Sequence, residues 1–419
     1  MQRSIIYWRS AHPLVYILLF LFIGYWLAIE IGKFVFPVTY IFIYFLSSLL
    51  LFLALSKMKY KNAVTGMIIS IGIMGWGFAI TQFHQMHPTN AQIQNTIPII
   101  RICRNWVIEK INKTILHKSA NGFALAILLG VKTEINKPLF EAYKQLGILH
   151  IIAISGMHLE ILFSNLTRFT KILPGNSFFK IIELTFLLTV VWLYTLMAFA
   201  SPSIVRASLL FSILTISYAI GRKSFVFNSM ATSLCVVFVL NTKGLQSIGL
   251  QLSYAAVVGI HLFYKPIYES LKMDNPIVKF IWSNASMSIS AMITTTPILI
   301  FHFHQIASWV LVSNMIMIPL SNVLLYSLAI LLALPLKFGV ANWWGAWIEK
   351  YINWLNQLVN YGFAKTHAAS ILIKMSMRQV VLYYSILLCL YLWLYYKKTA
   401  WLIGVFGIIT GYYIIKLFS

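Results

Sequence analysis

The chain has 419 residues, 60% of them hydrophobic and only 10% charged, where a soluble chain carries about a quarter charged. Lysine and arginine outnumber acids 32 to 9, a formal net charge of +23. Apolar stretches of about 18 or more residues recur, each long enough to cross a ~30 Å hydrocarbon core. These properties exclude a soluble globular fold, and the lack of short alternating segments excludes a β-barrel. They point to an all-α, polytopic helical membrane protein of roughly 10–12 spans. Asp274 is the one aspartate, so no carboxylate cluster is available to drive a proton or sodium pump. Cys103, Cys235 and Cys389 are far apart and form no CxxC pair, so neither a zinc site nor a disulfide framework is implied. The basic surplus fits both the positive-inside rule and a path for an anionic cargo.

Residues 1–83 contain three apolar segments, about 13–32, 38–56 and 63–83. The first is too long for a signal-peptide core and no small-residue cleavage site follows it. Arg3 and Arg9 precede it, Lys57, Lys59 and Lys61 separate the second and third, and only Lys33 lies between the first and second. That asymmetry predicts a cytoplasmic N-terminus. Residues 84–119 are polar and amphipathic and read as a short extracytoplasmic or interfacial segment.

From 120 to 419 the pattern is a second domain. "NGFALAILLGV" is too short to span, and "KTEINKPLFEAYKQLG" is a polar helix. Apolar segments follow at about 178–200, 203–220, 229–241, 248–264, 283–303, 306–335, 379–396 and 400–418. Several are short or broken by Pro and Gly, as expected of helices that line a cavity. Residues 342–363 are Trp-rich and amphipathic and read as a helix lying in the membrane interface.

Four constellations place polar groups inside apolar runs. In "LGILHIIAISGMHLEILF" (146–163) His158 follows Ser155 by three residues, so the two share a helical face. His150 lies roughly 80° round the wheel, and Ser155-Gly156 permits a break or a close approach. In "LMAFASPSIVRASLL" (196–210) a helix starts at Pro202, with Ser201 as a candidate cap and Ser203 and Arg206 in its first turns. An arginine there needs water, a partner or an anion. The third run, 248–260, carries Gln251 and Ser253. The fourth, 291–320, carries Thr296, Pro297, His302, His304 and Asn314. Each proline frees a carbonyl one turn earlier, which Thr or Asn side chains can help satisfy. The "HFH" has no accompanying Asp or thiolate, so no metal site is predicted.

These constellations, in this order, resemble the ComEC family of competence proteins. The motif H-x-x-A-x-S-G-x-H is matched by His150, Ala153, Ser155, Gly156 and His158. The motif S-P-S-x-x-R-A is matched by Ser201, Pro202, Ser203, Arg206 and Ala207. The resemblance implies a bacterial inner-membrane channel that imports single-stranded DNA in natural transformation, with these residues on its path and His158 and Arg206 facing a shared polar cavity. Two family features are missing from the pattern: an OB-like domain after the first helices and a C-terminal metallo-β-lactamase-like domain. The implied partners are single-stranded DNA, the bilayer, a separate DNA receptor, a nuclease, an ATP-driven motor and a second copy of the chain. No cofactor and no catalytic role are expected. Two alternatives stay open: transport of another anionic cargo, and a membrane enzyme using His150, Ser155 and His158.

Overall fold

The computed structural model describes residues 21–23, 98–131, 135–170, 177–221, 225–240, 242–336, 339–366 and 370–418. The first three apolar segments, apart from 21–23, and the predicted orientation of the N-terminus lie outside these residues. The described chain is almost entirely helical. In order, α1 is Pro98–Thr114, α2 Lys118–Leu129, α3 Lys137–Gln145, α4 Leu149–Ile152, α5 Gly156–Thr170, α6 Ser177–Met197, α7 Pro202–Ala219 and α8 Val226–Leu240. There follow α9 Ile248–Glu269, α10 Pro276–Phe303, α11 Val310–Ala333, α12 Val340–Thr366, α13 Met377–Tyr396 and α14 Ala400–Phe418. Five stretches are long and apolar enough to cross a membrane: Phe179–Met197, Pro202–Ala219, Pro276–Phe303, Val310–Ala333 and Met377–Tyr396.

Local chemistry sets many of the boundaries. Asn275 caps α10 by accepting from the amides of Ile277 and Val278, with Pro276 in the first turn. Ser376 and Gln379 form a capping box at the start of α13. Gly130, at φ 73°, ends α2 in the left-handed conformation glycine adopts without strain. One element escapes the sequence reading. The apolar segment at 306–335 opens not as helix but as strand β1 (Gln305–Ala307), antiparallel to β2 (Ser370–Leu372) with Ile306 opposite Ile371. His304, at φ 55°, turns the chain out of α10 into this ribbon.

The chain divides into two compact units, residues 1–102 with 162–247, and residues 103–161 with 248–419. In the first, α6 packs on α7 and α7 on α8. Their seam is polar: Trp192 Nε1 donates to Ser212 Oγ at 3.1 Å, and the Thr195 and Ser208 hydroxyls bond each other. The hydroxyls of Thr195, Ser208 and Ser212 also bond their own helices one turn back, which satisfies them without water.

In the second unit, α9 packs along α10 through small residues. A Cβ on Gly259 would collide with the Ser290 carbonyl and the Thr294 hydroxyl, so glycine is what lets the backbones approach. Helix α2, too short to span, is nearly engulfed, with nine of its twelve residues buried. Around it, α1 and α12 are pinned together. Glu349 on α12 accepts from the amides of Leu116 and His117 at 2.8 and 2.9 Å, an acid at the start of α2 where the helix dipole favours it. Lys110 is 5% exposed and donates to the carbonyls of Leu332 and Leu334 at the end of α11, at 2.7 and 2.6 Å, satisfying acceptors no intrahelical amide reaches.

Candidate functional site

The run from Leu146 to Phe163 is not one helix. It forms the single turn α4, leaves helical geometry at Ala153 (φ −78°, ψ 128°), and resumes as α5 at Gly156. His158 holds this break together. Its Nδ1 accepts from the Ser155 amide at 3.2 Å and lies 3.0 Å from the Ser155 hydroxyl. An amide can only donate, so a neutral ring carries its proton on Nε2. Ser155 stands at the cap position of α5 and His158 three residues on. The contact is therefore the half of a capping box in which the third residue's side chain reaches back, with imidazole in place of the usual Glu or Gln. His158 is 4% exposed. His150, on α4, has an exposed surface but lies close enough to His158 for the charge of one ring to act on the other, while Glu160 faces outward. The wheel that put His150 near His158 assumes one continuous helix; the chain breaks between them, and the two rings are still neighbours.

The second motif forms the corner between α6 and α7. Phe199 and Ala200 both take positive φ, 59° and 46°, a conformation costly for residues with a Cβ. Pro202 then opens α7 in its first turn, as predicted. Ser201 does not cap it with its side chain. Its carbonyl accepts from the amides of Ile204 and Val205 at 3.0 Å each, while its enclosed hydroxyl finds no partner among the described residues. Ser203 is half-buried and Pro202 exposed. Arg206, one turn into α7, is only 6% exposed and is flanked by Ala207 and Ser208, which are more deeply buried.

The remaining candidates lie in the second unit. Gln251 on α9 and His302 on α10 bond at 3.1 Å, which joins the third and fourth constellations. Ser253 is half-buried two residues beyond Gln251, on another side of the helix. Pro297 removes the amide that would bond the Ile293 carbonyl. That carbonyl accepts instead from the Tyr383 hydroxyl of α13 at 2.9 Å, and Tyr384 does the same for Thr294 at 2.7 Å. The threonines predicted to fill this role bond elsewhere: Thr294 to the Ala255 carbonyl of α9, Thr295 to its own helix. Thr296 lines an open apolar recess of about 280 Å³ with Ile289, Met292, Ile293, Leu311 and Tyr383. Asn314 is 8% exposed and its side-chain carbonyl meets no donor among the described residues. His304 Nδ1 lies 3.2 Å from the Ile300 carbonyl, so the two histidines of "HFH" are engaged separately.

Residues 127–397 match the Competence protein family. The chain belongs to that family. It is similar to ComE operon protein 3 of Bacillus subtilis (strain 168), with 25% identity over 287 residues, 68% of this chain and 35% of that relative. The chain thus spans about a third of the length of the relative it matches. No solved structure matches it. Together with the five spanning-length helices, the family places the chain among multi-pass membrane proteins.

Sequence reasoning missed the Gln251–His302 pair, the Tyr383 and Tyr384 donors and the Lys110 clamp. The first was within reach, since two polar residues on apolar helices seek each other. The tyrosines carry no such signal, because a tyrosine in an apolar helix reads as core.

Proposed function

We propose that this competence-family protein forms a bacterial inner-membrane conduit that imports single-stranded DNA, and that it acts as a transporter without chemistry of its own. The observation that carries the proposal is the burial of Arg206 at the strained α6–α7 corner. A guanidinium inside an apolar helix is costly unless its surroundings are polar, and a helix start beside an arginine suits phosphate. The printed name of the relative, a ComE operon protein, is in keeping with competence. The Ser155–His158 contact does not favour an enzyme. Nδ1 is already shared with the Ser155 amide, and the pair closes one turn of one helix rather than presenting a nucleophile to a substrate.

The test is DNase-resistant uptake of labelled DNA in a deletion strain complemented by the wild type or by Arg206→Ala. Restoration by the wild type and failure of a normally inserted Arg206→Ala supports the conduit. Undiminished uptake in the deletion strain sinks it.

A further inference from the structure

Helix α12 has two unlike faces. One is fully buried, with Ala341, Ile348, Ile352, Leu355 and Val359 at 2% exposure or less. The other turns outward and carries Trp343 (68%), Trp347, Lys350, Trp354, Gln357 and Tyr361. On a 100° wheel these six fall within about 80° of one another. The rings are ordered along the helix: Trp344 stacks on Trp347 with centroids 5.3 Å apart, Trp347 on Tyr351 at 5.3 Å, and Tyr351 approaches Trp354 at 5.7 Å.

Composition alone puts such a helix at the membrane surface. Its bonds lay it along α11. Trp344 Nε1 donates to the Ser327 carbonyl at 2.9 Å, and the Tyr351 hydroxyl donates to the Leu320 carbonyl at 3.0 Å. Seven residues forward on α12 are matched by seven back on α11, so the helices run antiparallel, side by side. Helix α11 is one of the five of spanning length. Leu320 is ten residues from Val310 and thirteen from Ala333, or about 15 and 20 Å from the helix ends. Lys350 adjoins Tyr351 and therefore sits beside the middle of α11, which is mid-depth if α11 spans the bilayer.

An exposed lysine at that depth cannot face hydrocarbon cheaply. The exposed face of the neighbouring α11 is mainly aliphatic, Val312, Ile316, Val323 and Ile330, with Tyr326 beside them. The α12 face has aromatic rings, an amide and an ammonium in their place. Glu349, on its flank, holds the α1–α2 corner, whose His117 and Lys118 are also exposed. A low mean hydropathy is what a spanning helix acquires when one face meets water.

We propose that α12 crosses the membrane beside α11, and that its outward face lines the aqueous path and stacks the bases of a single strand. The proposal rests on the conduit reading above. Rings give sequence-tolerant stacking and Lys350 gives the positive charge a phosphate backbone requires, the pairing that non-specific single-strand grooves use.

The test has two arms, both on the full chain with Cys103, Cys235 and Cys389 changed to serine. In membranes, Lys350→Cys is expected to react with a membrane-impermeant thiol reagent and Val323→Cys to stay unlabelled. A Lys350→Cys labelled only by a lipophilic reagent means that the bilayer covers this face, and overturns the proposal. In nanodiscs, Trp347→Leu with Trp354→Leu is expected to weaken binding of a labelled single-stranded oligonucleotide by on the order of tenfold or more. Trp354→Phe is expected to keep it. Unchanged binding by the double variant overturns the stacking role. Uptake in cells separates the failures: wild-type uptake with an unimpaired double variant strikes the α12 inference alone, while a deletion strain that still takes up DNA strikes the conduit itself.

Discussion

Two corners interrupt apolar runs in this protein, and they are built in opposite ways. At the α4–α5 break the chain is tied locally, with His158 reaching back to the Ser155 amide and hydroxyl. At the α6–α7 corner two residues with a Cβ hold positive φ, Ser201 withholds its side chain from the helix start, and a guanidinium is buried one turn on. The first corner spends its polar groups on its own backbone. The second holds two residues in a costly conformation and a hydroxyl with no partner among the described residues. The two motifs thus differ physically: one closes a helix break on its own backbone, the other buries a guanidinium next to a corner of positive φ.

Substitution can break that contrast, and Arg206 carries the largest effect. Arg206→Ala is expected to drop DNase-resistant uptake to the level of the deletion strain at normal membrane abundance. His158→Ala is expected to act through stability. It strips an acceptor from a half-buried amide and hydroxyl, at most about 1–3 kcal/mol, and leaves a cavity besides. Abundance and thermal stability in detergent should fall, with uptake following abundance. His158→Gln supplies the ordinary capping-box acceptor and is expected to recover both. If His158→Gln folds normally yet abolishes uptake, the imidazole has a transport role and the contrast fails.

The class of the fold was legible in the sequence because bilayer thickness imposes length on apolar runs. The placement of the polar groups was legible only in part. Pro202 opens α7 and a break occurs beside Ser155, as Pro and Gly chemistry requires. That Tyr383 rather than a threonine serves the Ile293 carbonyl was not, because the donor lies 90 residues away and no local pattern marks it. The β1–β2 ribbon was hidden for the same reason: three residues at each end acquire strand geometry only by meeting. Ser201 shows the converse. Its type and position are those of a cap, and its side chain makes no cap bond.

Smaller effects sharpen the same contrast. Ser201→Ala removes an enclosed hydroxyl that bonds nothing among the described residues, so stability should hold or rise by up to about 1 kcal/mol. A fall in uptake without a fall in stability would mark the hydroxyl as a contact for cargo. Ala200→Gly is the most delicate case. Glycine takes positive φ freely, so relieving the left-handed alanine is worth about 1 kcal/mol in the folded state, offset by the greater freedom glycine adds to the unfolded chain. A net gain near zero to 1 kcal/mol, read as a small rise in thermal midpoint with uptake unchanged, would mean that the strain serves only to turn the chain. A stabilised protein with slower uptake would mean that the corner must leave this conformation as DNA passes, and would make the α6–α7 corner a moving part rather than a fixed one.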